Sequence, residues 1–448
     1  MVYMARLRKG KSKSENIIAR DNAIMIKTTR EPYNFVAESG TGEFVYDVDG
    51  RKFIDFSSFI SVYNFGVNSS EAVRKAIAEQ SSKLMHSAFT DFYAERPVHF
   101  AESLMKFMLA GFGRIFFSNS GTEANEAALK FSKLFTKRNY VLAFYGGFHG
   151  RTKGSLALTA SKSVQRAYNG PFPDVIHVPF PYCYRCPLKQ TYPDCGFACI
   201  DYIKKYPLSK EVDPNEVAAL VTEPIQGEGG YIVPPKDYFK ELKKVLDEHG
   251  ILMVSDEVQA GYMRTGKFLA MDNFGVKADI YTMAKSIGAG LPLGVTIVDK
   301  RLGNIPEGAH ANTFGGNLAV IAGAQAQLEH ISRNKARIES EIRAKGRTAM
   351  KRMEKMKEDY EIVGDVRGMG MMLAIEIVKD KIGKEPAPKL RERIMMESFA
   401  NGLIMLPTGE SAIRIIPPLT ISEHSLSKGF DILERAIAKI NAESSRRR

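Results

Sequence analysis

Apolar and polar positions predict a repeated pattern of strand, turn and helix from about residue 114 onward. Nearly unbroken apolar runs, as expected of buried strands, occupy residues 115–117, 140–144, 175–178, 218–222, 251–255, 280–283 and 295–298. After the first run, apolar residues recur at helical spacing on one face, at Ala124, Ala127, Ala128, Phe131, Leu134 and Phe135. Apolar strands separated by helices are typical of a parallel sheet that is covered on both faces. We therefore predict an α/β fold with a mostly parallel seven-stranded sheet in a large domain.

The flanking parts of the chain predict a second, smaller α/β domain. Residues 44–56 alternate around an Asp49-Gly50 turn, which predicts a hairpin, and residues 71–85 have helical spacing. After residue 312 the pattern predicts helices at 331–356 and 390–400, with short strands at 372–377, 404–406 and 413–415. We expect a flexible lead-in up to about residue 25, an N-terminal segment (1–75) that joins the small domain, a large domain (76–311) with a Cys-rich insertion (181–200), and a C-terminal small domain (312–448).

Composition and charge are those of a globular protein with basic ends. Apolar residues make up 44% of the 448 residues and charged residues 25%. The net charge is +12, and five of the basic residues lie before residue 14 and three more at 446–448, so the body is nearly balanced. Basic tails without a recognition motif do not argue for a nucleic-acid partner. Because no apolar run reaches membrane-spanning length and the N-terminus lacks the apolar stretch of a signal peptide, we expect a cytoplasmic protein without a membrane partner.

Chemically active side chains follow the predicted strands at their carboxyl ends. These are Lys285, Asp256, Glu223 and two segments, 120–122 and 148–151. Ligands of open parallel sheets bind outside the carboxyl ends of the strands, so this shared location predicts one site.

Lys285 ends the apolar strand 280–283 and precedes glycines. Burial at a strand end disfavours the ammonium form and lowers the pKa, as a Schiff-base lysine requires. A lysine that simply reaches water is the alternative reading of this residue alone. Asp256 likewise leaves a buried strand, and its carboxylate needs a cation, for which a protonated pyridine nitrogen would serve. A helix cap or an arginine partner would serve as well.

Residues 119–124 open a helix directly after a strand. Free backbone N–H groups and the positive end of the helix dipole make this an anion site, with hydroxyl groups on Ser120 and Thr122. An ordinary capping box between Ser120 and Glu123 explains the same residues, and both can hold at once.

Five motifs in order resemble the class III aminotransferases, which are pyridoxal-phosphate enzymes of fold type I. They are Ser120-Gly-Thr-Glu-Ala124, Glu223-Pro-Ile-Gln-Gly-Glu228-Gly, Ser255-Asp-Glu-Val-Gln259-Ala-Gly-Tyr-Met-Arg-Thr-Gly266, Lys285 and Asn312-Thr-Phe-Gly-Gly-Asn317. The resemblance covers roughly residues 40 to 420. Each motif alone is weak, but the five in the family's order are specific.

The resemblance implies a cofactor, pyridoxal 5′-phosphate, and a role for each matching residue. Lys285 would hold the cofactor and move protons, Asp256 would keep the pyridine nitrogen protonated, and Glu223 belongs to the catalytic set. The remaining residues implied to bind the cofactor are Ser120, Gly121, Thr122, Phe148 and Val258 on the two ring faces, His149, Gln259 at the ring hydroxyl, and Thr313 at the phosphate of a neighbouring subunit. The resemblance therefore also implies at least a homodimer with shared sites.

Three further residues match the family's substrate-binding positions. Arg414 matches an arginine that clamps a carboxylate, Glu228 matches the glutamate that pairs with it, and Arg151 matches a second carboxylate-binding arginine. The set implies 2-oxoglutarate as acceptor and an ω-amino acid such as 4-aminobutyrate as donor. Structural ion pairs are the alternative explanation of Arg151 and Arg414. Residues 66–70 depart from the family pattern near the substrate entrance, so the motifs leave the donor open.

Three other functions compete with a 4-aminobutyrate aminotransferase. One is an amino-acid racemase or epimerase on the same scaffold, and another is an ornithine or acetylornithine type of aminotransferase. The third is a nucleotide-binding or regulatory α/β protein in which Lys285 is inert.

All four cysteines lie in the insertion, at Cys183, Cys186, Cys195 and Cys199. The spacing Cys-x-x-Cys, then eight residues, then Cys-x-x-x-Cys fits a structural zinc site. Disulfides and ordinary reduced thiols are the alternatives. No metal is expected in the catalytic site.

Overall fold

The computed structural model describes residues 12–29, 32–68, 70–108 and 112–445. Its first element is helix α1 (Lys13–Ile24), where the sequence pattern predicts a flexible lead-in. That prediction is wrong for these residues: Ser12 accepts a hydrogen bond from the Glu15 backbone, and the Glu15 carboxylate accepts one from the Ser12 backbone. This capping box satisfies two free N–H groups at the helix start. The first 11 residues of the predicted lead-in lie outside the described residues.

A four-stranded sheet joins the two ends of the chain. Strands β1 (Ala37–Thr41), β2 (Phe44–Asp47) and β3 (Lys52–Asp55) pair antiparallel, and the predicted hairpin at 44–56 is confirmed. A distant strand, Leu403–Ile404, adds to β3 in parallel. The N-terminal segment is therefore hydrogen-bonded to the C-terminal part of the chain.

The short helical turn that follows β3 is left-handed. In this turn, α2 (Ser58–Ser61), all four residues have φ between +45° and +64°, which is rare for non-glycine residues. The Ser58 hydroxyl donates to the Ile416 carbonyl at 2.6 Å, and the Asp55 carboxylate accepts from the Ser57 and Ser58 backbones. Surrounding hydrogen bonds thus hold a strained conformation. Helices α3 (Glu71–Ser81) and α4 (Glu95–Met105) follow.

The central sheet has seven strands in the order β4-β10-β9-β8-β7-β5-β6. Only β10 runs opposite to the others, because it pairs antiparallel with both β4 and β9. The predicted mostly parallel sheet and α/β class are confirmed. The strands are β4 (Phe112–Ser118), β5 (Tyr140–Phe144), β6 (Val175–Val178), β7 (Val217–Thr222), β8 (Leu252–Asp256), β9 (Ile280–Met283) and β10 (Gly294–Asp299).

Helix α5 (Gly121–Thr136) covers the middle of this sheet. Its alanines Ala124, Ala127 and Ala128 are buried, which lets the helix backbone lie close to the strands. Phe131 is buried on the same face, as the helical spacing predicts. The helix start therefore lies at the carboxyl end of β4 and beside those of β8 and β9. Shorter helices connect the later strands: α6 (Lys153–Leu158), α7 (Ser163–Arg166), α8 (Ala198–Lys205) and α9 (Tyr238–Glu248).

The C-terminal part is built around a 42-residue helix, α10 (Leu318–Asp359). A third sheet follows, in the order β11-β12-β15-β14. The single strand predicted at 404–406 is wrong: Leu403–Ile404 (β13) joins the N-terminal sheet, whereas Leu406–Thr408 (β14) joins the third sheet. The other elements are β11 (Val363–Met369), β12 (Met372–Ile377), α11 (Pro388–Ala400), β15 (Ala412–Ile415) and α12 (Glu423–Ser445).

The division into domains stays a prediction, which the strand pairing supports. All seven strands of the central sheet fall within residues 112–299, and the N-terminal strands pair with β13. Among the described residues, no helix combines the length and apolar character needed to cross a membrane.

Candidate active site

A cavity of about 590 Å³ opens at the carboxyl ends of the central strands. Its wall contains every residue that the sequence assigned to catalysis, cofactor binding or substrate binding, except Thr313. These residues are Ser120, Gly121, Thr122, Phe148, His149, Arg151, Glu223, Glu228, Asp256, Val258, Gln259, Lys285 and Arg414. The sheet topology thus gathers residues that are up to about 290 positions apart in the sequence.

Lys285 projects into this cavity directly after β9. Its backbone has φ +53°, a left-handed conformation that a lysine seldom adopts. Burial lowers the pKa of Lys285 below its ordinary value, and the charges of Asp256 and Glu223 oppose this shift only in part. A lowered pKa keeps more of the amine neutral and nucleophilic near neutral pH.

Asp256 is the last residue of β8 and is held by three neutral or weakly basic donors. Its Oδ2 accepts from Asn125 Nδ2 at 2.7 Å and from His149 Nδ1 at 2.8 Å. Its Oδ1 accepts from the Val258 backbone at 3.0 Å. Burial opposes the charged form of His149, yet the hydrogen bond and charge of Asp256 prevail and raise the pKa of the imidazole. The carboxylate is fixed in orientation and lines the cavity without an arginine or lysine bound to it in the described chain.

Glu223 follows β7 and is buried close to His149 and Asp256. Its carboxylate accepts from the Phe148 backbone at 3.0 Å and from the Gly227 backbone at 2.8 Å. Burial raises the pKa of Glu223 to about 7, and the nearby His149 works against that shift. Glu223 therefore joins the loop after β5 to the loop after β7 beneath the cavity.

The start of α5 forms a cradle with little room to spare. The Ser120 hydroxyl caps the helix by accepting from the Glu123 backbone at 3.2 Å, while the Glu123 carboxylate binds the Asn119 backbone instead of that of Ser120. A Cβ at Gly121 would lie 2.7 Å from a methyl of Val258, and one at Gly150 would lie 2.0 Å from the Thr122 hydroxyl. Glycines at both positions leave N–H groups and hydroxyls facing the cavity, as an anion site needs.

Aromatic and amide groups complete the cavity wall. The Arg151 guanidinium lies over the Phe148 ring, 4.8 Å from its centroid. Gln259 accepts a hydrogen bond from the Tyr231 hydroxyl at 2.7 Å, which fixes its side chain. Phe148 and Val258 thus border the cavity together with a positioned amide.

Arg414 and Glu228 form an ion pair at the edge of this cavity. Arg414 Nη2 donates to Glu228 Oε2 at 2.8 Å. The arginine side chain is 5% exposed and that of the glutamate 22%. Burial opposes both charges, but Arg414 and Lys162 lower the pKa of Glu228, and Tyr231 and Glu228 raise the pKa of Arg414.

Thr313 lies outside the cavity of its own chain. It is exposed in the loop before α10, next to Phe314, whose side chain is 60% exposed. Its contact with the phosphate of another subunit stays a prediction.

The four cysteines border one small cavity of about 20 Å³ and are free thiols. Burial raises the pKa of Cys199 to about 12 and raises that of Cys183 as well. Within the described ranges, no three or more His, Cys, Asp or Glu side chains are arranged to hold a metal ion. Zinc binding by these cysteines stays a prediction.

Three polar residues at the site were not found from the sequence. Asn125 joins Asp256 to the His149 carbonyl, Tyr231 holds Gln259, and Lys162 binds Glu228. Asn125 lies one residue beyond the Ser120–Ala124 motif, so its helical position was the available signal. Lys162 and Tyr231 carry no local signal, because each acts through a partner more than 25 residues away.

These features fit pyridoxal phosphate. Among the described residues, the fixed carboxylate of Asp256 has no arginine or lysine partner and lines the cavity. The start of α5 provides the cradle for a phosphate, and Lys285, with its lowered pKa, lines the same cavity. The fold and site thus define a pyridoxal-phosphate enzyme of fold type I.

Comparison with known proteins identifies the family. The profile of the class III aminotransferases matches residues 25–437. A leucine/methionine racemase of Thermococcus litoralis is 40% identical over 430 residues, with 96% of each chain covered. A probable 4-aminobutyrate aminotransferase of Bacillus subtilis is 35% identical over 407 residues, covering 90% of this chain and 92% of the relative.

Solved structures agree with this. An amine transaminase from an uncultivated Pseudomonas species, determined in its pyridoxal-phosphate-bound form, superimposes with a TM-score of 0.86 at 29% identity, covering 93% of this chain and 98% of the other. The chain belongs to the class III aminotransferases, and its cofactor is pyridoxal 5′-phosphate. Enzymes of this family act on small-molecule amino donors and acceptors.

Proposed function

We propose that the protein transfers the amino group of an ω-amino acid of the 4-aminobutyrate type to 2-oxoglutarate, giving a semialdehyde and glutamate. The observation that carries this proposal is the Arg414–Glu228 pair beside Lys285. With Glu228 bound, Arg414 is neutralised and the cavity accepts the uncharged chain of an ω-amine. When the Glu228 side chain moves away, Arg414 can donate two N–H groups to a substrate carboxylate.

A second arginine supports a dicarboxylate acceptor. Arg151 lines the same cavity and its guanidinium is exposed over the Phe148 ring, where a carboxylate can reach it. Two guanidinium groups in one cavity match the two carboxylates of 2-oxoglutarate and of glutamate. A substrate with one carboxylate needs only one of them.

The protein's own groups prepare the cofactor and move the proton. When bound, pyridoxal phosphate supplies the carbonyl carbon that takes up the amino group and a ring that withdraws electrons. Asp256 would keep the ring nitrogen of the bound cofactor protonated, and the hydrogen bonds from His149 and Asn125 hold its carboxylate in place. The neutral amine of Lys285 takes the proton from the substrate carbon and returns it to a neighbouring atom.

The absorbance spectrum of the purified holoenzyme tests this function. Adding 4-aminobutyrate without a keto acid is expected to remove the visible band of the bound cofactor, and 2-oxoglutarate is expected to restore it. A band that ignores every ω-amino acid and every 2-oxo acid would contradict the proposal.

Racemisation of an α-amino acid is the second candidate. It is favoured by the 40% identity to the racemase of Thermococcus litoralis, compared with 35% to the aminotransferase of Bacillus subtilis. A racemase would make an L-amino acid lose optical activity with no keto acid present and without lasting loss of the cofactor band. An ornithine or acetylornithine donor would instead bleach the band as 4-aminobutyrate does.

We also propose a homodimer with shared active sites in the cytoplasm. The support for the dimer is Thr313, which lies outside the cavity of its own chain and matches the family position that reaches the phosphate of a neighbouring subunit. Light scattering of the purified protein tests the assembly.

A further inference from the structure

Glu228 lies on the wall between two cavities. Arg414 lines the cofactor cavity, Lys162 lines a neighbouring cavity of about 890 Å³, and Glu228 lines both. Its two carboxylate oxygens are divided between them: Oε2 accepts from Arg414 at 2.8 Å and Oε1 from Lys162 Nζ at 2.6 Å. One carboxylate therefore joins a cation of the active site to a cation outside it.

Of the two members of the Arg414–Glu228 pair, the arginine is the more firmly held. Arg414 also donates to the Pro407 carbonyl, from Nε at 3.0 Å and from Nη2 at 2.8 Å. Its side chain is 5% exposed, against 22% for Glu228. When a carboxylate of the substrate arrives at Arg414, the glutamate is the partner that has both the freedom and the space to move.

When Glu228 leaves Arg414, its carboxylate needs a counter-charge that stays with it. A largely buried carboxylate without a cation incurs a desolvation penalty, which weakens binding of the substrate carboxylate that displaced it. The neighbouring cavity contains two other cations. Arg185 is bound to Glu376, and Arg391 donates to the Glu410 carbonyl and has no hydrogen bond to Glu228 within the described residues. Lys162 already contacts Glu228 and is 47% exposed, so it can follow the carboxylate.

We propose that Lys162 is a positioning residue that retains Glu228 in the neighbouring cavity while Arg414 binds the carboxylate of a dicarboxylate substrate. The proposal rests on the proposed function, because only a dual-substrate enzyme must free and re-engage Arg414 in each cycle. Lys162 lies outside the cofactor cavity and acts through Glu228 alone. It stabilises the dicarboxylate state without weakening the state in which Glu228 neutralises Arg414.

The test compares Lys162→Met and Lys162→Arg in the holoenzyme. Glutarate, an unreactive dicarboxylate, is titrated while the cofactor absorbance is followed. We expect the dissociation constant for glutarate to rise about fivefold or more in Lys162→Met, because this variant loses one partly exposed ion pair. In Lys162→Arg, which keeps the positive charge, the dissociation constant should return to the wild-type value. The rate of the half-reaction with 4-aminobutyrate should fall less, because Glu228 stays on Arg414 in that half.

Lys204→Met is the matched control, because Lys204 is an exposed lysine at 52% and, within the part of the chain that the structure describes, pairs with Asp201 alone, on its own helix. It should leave both measurements unchanged. If Lys162→Met binds glutarate as the wild type does, or if both half-reactions fall equally, the inference is wrong and the proposed function stands. If the wild type neither binds glutarate nor reacts with 4-aminobutyrate, the proposed function fails, and the inference fails with it.

Discussion

Lys285 provides the amine on which the proposed reaction depends. Because burial lowers its pKa, the amine should react with an acylating reagent at a lower pH than an exposed lysine such as Lys351. We expect the labelling of Lys285 in the cofactor-free protein, measured by mass spectrometry, to reach its midpoint below that of Lys351. Equal midpoints would mean that the amine is solvated.

Replacing the same residue tests its role in turnover. Lys285→Ala should abolish detectable activity while the circular dichroism spectrum and the unfolding midpoint stay close to those of the wild type. Lys351→Ala is the control for loss of an ammonium group. Wild-type activity in Lys285→Ala would remove this lysine from the mechanism.

Glu223 predicts a pH dependence of stability. Its pKa is about 7 in the folded protein, against an ordinary value of 4.5, so the unfolded chain releases this proton first as pH rises. The free energy of unfolding should therefore fall between about pH 4.5 and pH 7, by on the order of 3 kcal/mol from this group.

A comparison with Glu223→Gln isolates that contribution from the other titrating groups. Urea unfolding of both cofactor-free proteins at pH 5 and pH 8 should show the variant gaining stability relative to the wild type at the higher pH. A difference that does not change with pH would show that Glu223 is ionised throughout this range.

At the residue scale, the sequence indicated which residues line the cavity better than it indicated which side chains they contact. Lys285, Asp256 and Glu223 were found because each follows an apolar strand, and a strand end is visible in the sequence. Lys162 was missed because its role depends on Glu228, 66 residues away, and nothing near either residue indicates that contact.

The left-handed turn α2 gives a prediction at the scale of elements. Ile60 has φ +63°, a conformation that strongly disfavours a β-branched side chain, and its side chain is 42% exposed. Ile60→Gly should therefore keep or raise the unfolding midpoint, although isoleucine to glycine normally destabilises a protein.

Because Ile60 also lines the cofactor cavity, the same change should raise the KM for the amino donor. The matched control is Ile17→Gly, in the middle of α1 at 37% exposure, where glycine should destabilise by about 1 kcal/mol. A larger loss of stability at Ile60 than at Ile17 would show that this turn is not strained.

Strand and helix patterns located most elements but not their ends or their sheets. Strands β5, β6, β9 and β12 were predicted at their observed bounds, because each is a short and mostly apolar run. Residues 404–406 read as one strand, yet the chain passes from one sheet to another at Met405. An apolar run carries no record of which sheet its residues join.

A buried arginine, Arg264, links distant parts of the chain by hydrogen bonds. Arg264 is fully buried and donates to Ser61 in α2, to Asn64, and to the carbonyls of Met371 and Pro417. It thereby links the N-terminal segment, the loop after β8 and two loops of the C-terminal part.

Arg264→Met should reduce the free energy of unfolding by about 3 kcal/mol or more, because buried acceptors lose their donors. Thermal unfolding would measure this against Arg343→Met, an exposed arginine on α10 whose loss should change stability by less than about 0.5 kcal/mol. Equal unfolding midpoints for the two variants would contradict this role of Arg264.

At the scale of the whole molecule, the α/β class followed from the repeated apolar strands and was confirmed. The antiparallel direction of β10 could not be predicted from the sequence, because an apolar strand has the same pattern in either direction. The pairing of β13 with β3 could not be predicted either, since those strands lie about 350 residues apart in the chain.

The 42-residue helix α10 restricts how the chain can change in length. It begins directly after the Thr313–Phe314 loop and ends at the third sheet. Each residue of a helix adds about 1.5 Å to its length and rotates the chain beyond it by about 100°. A single insertion or deletion within it would swing the third sheet, and with it Arg414, away from the active site. Relatives that share this site should therefore vary in length in their surface loops and keep this helix constant.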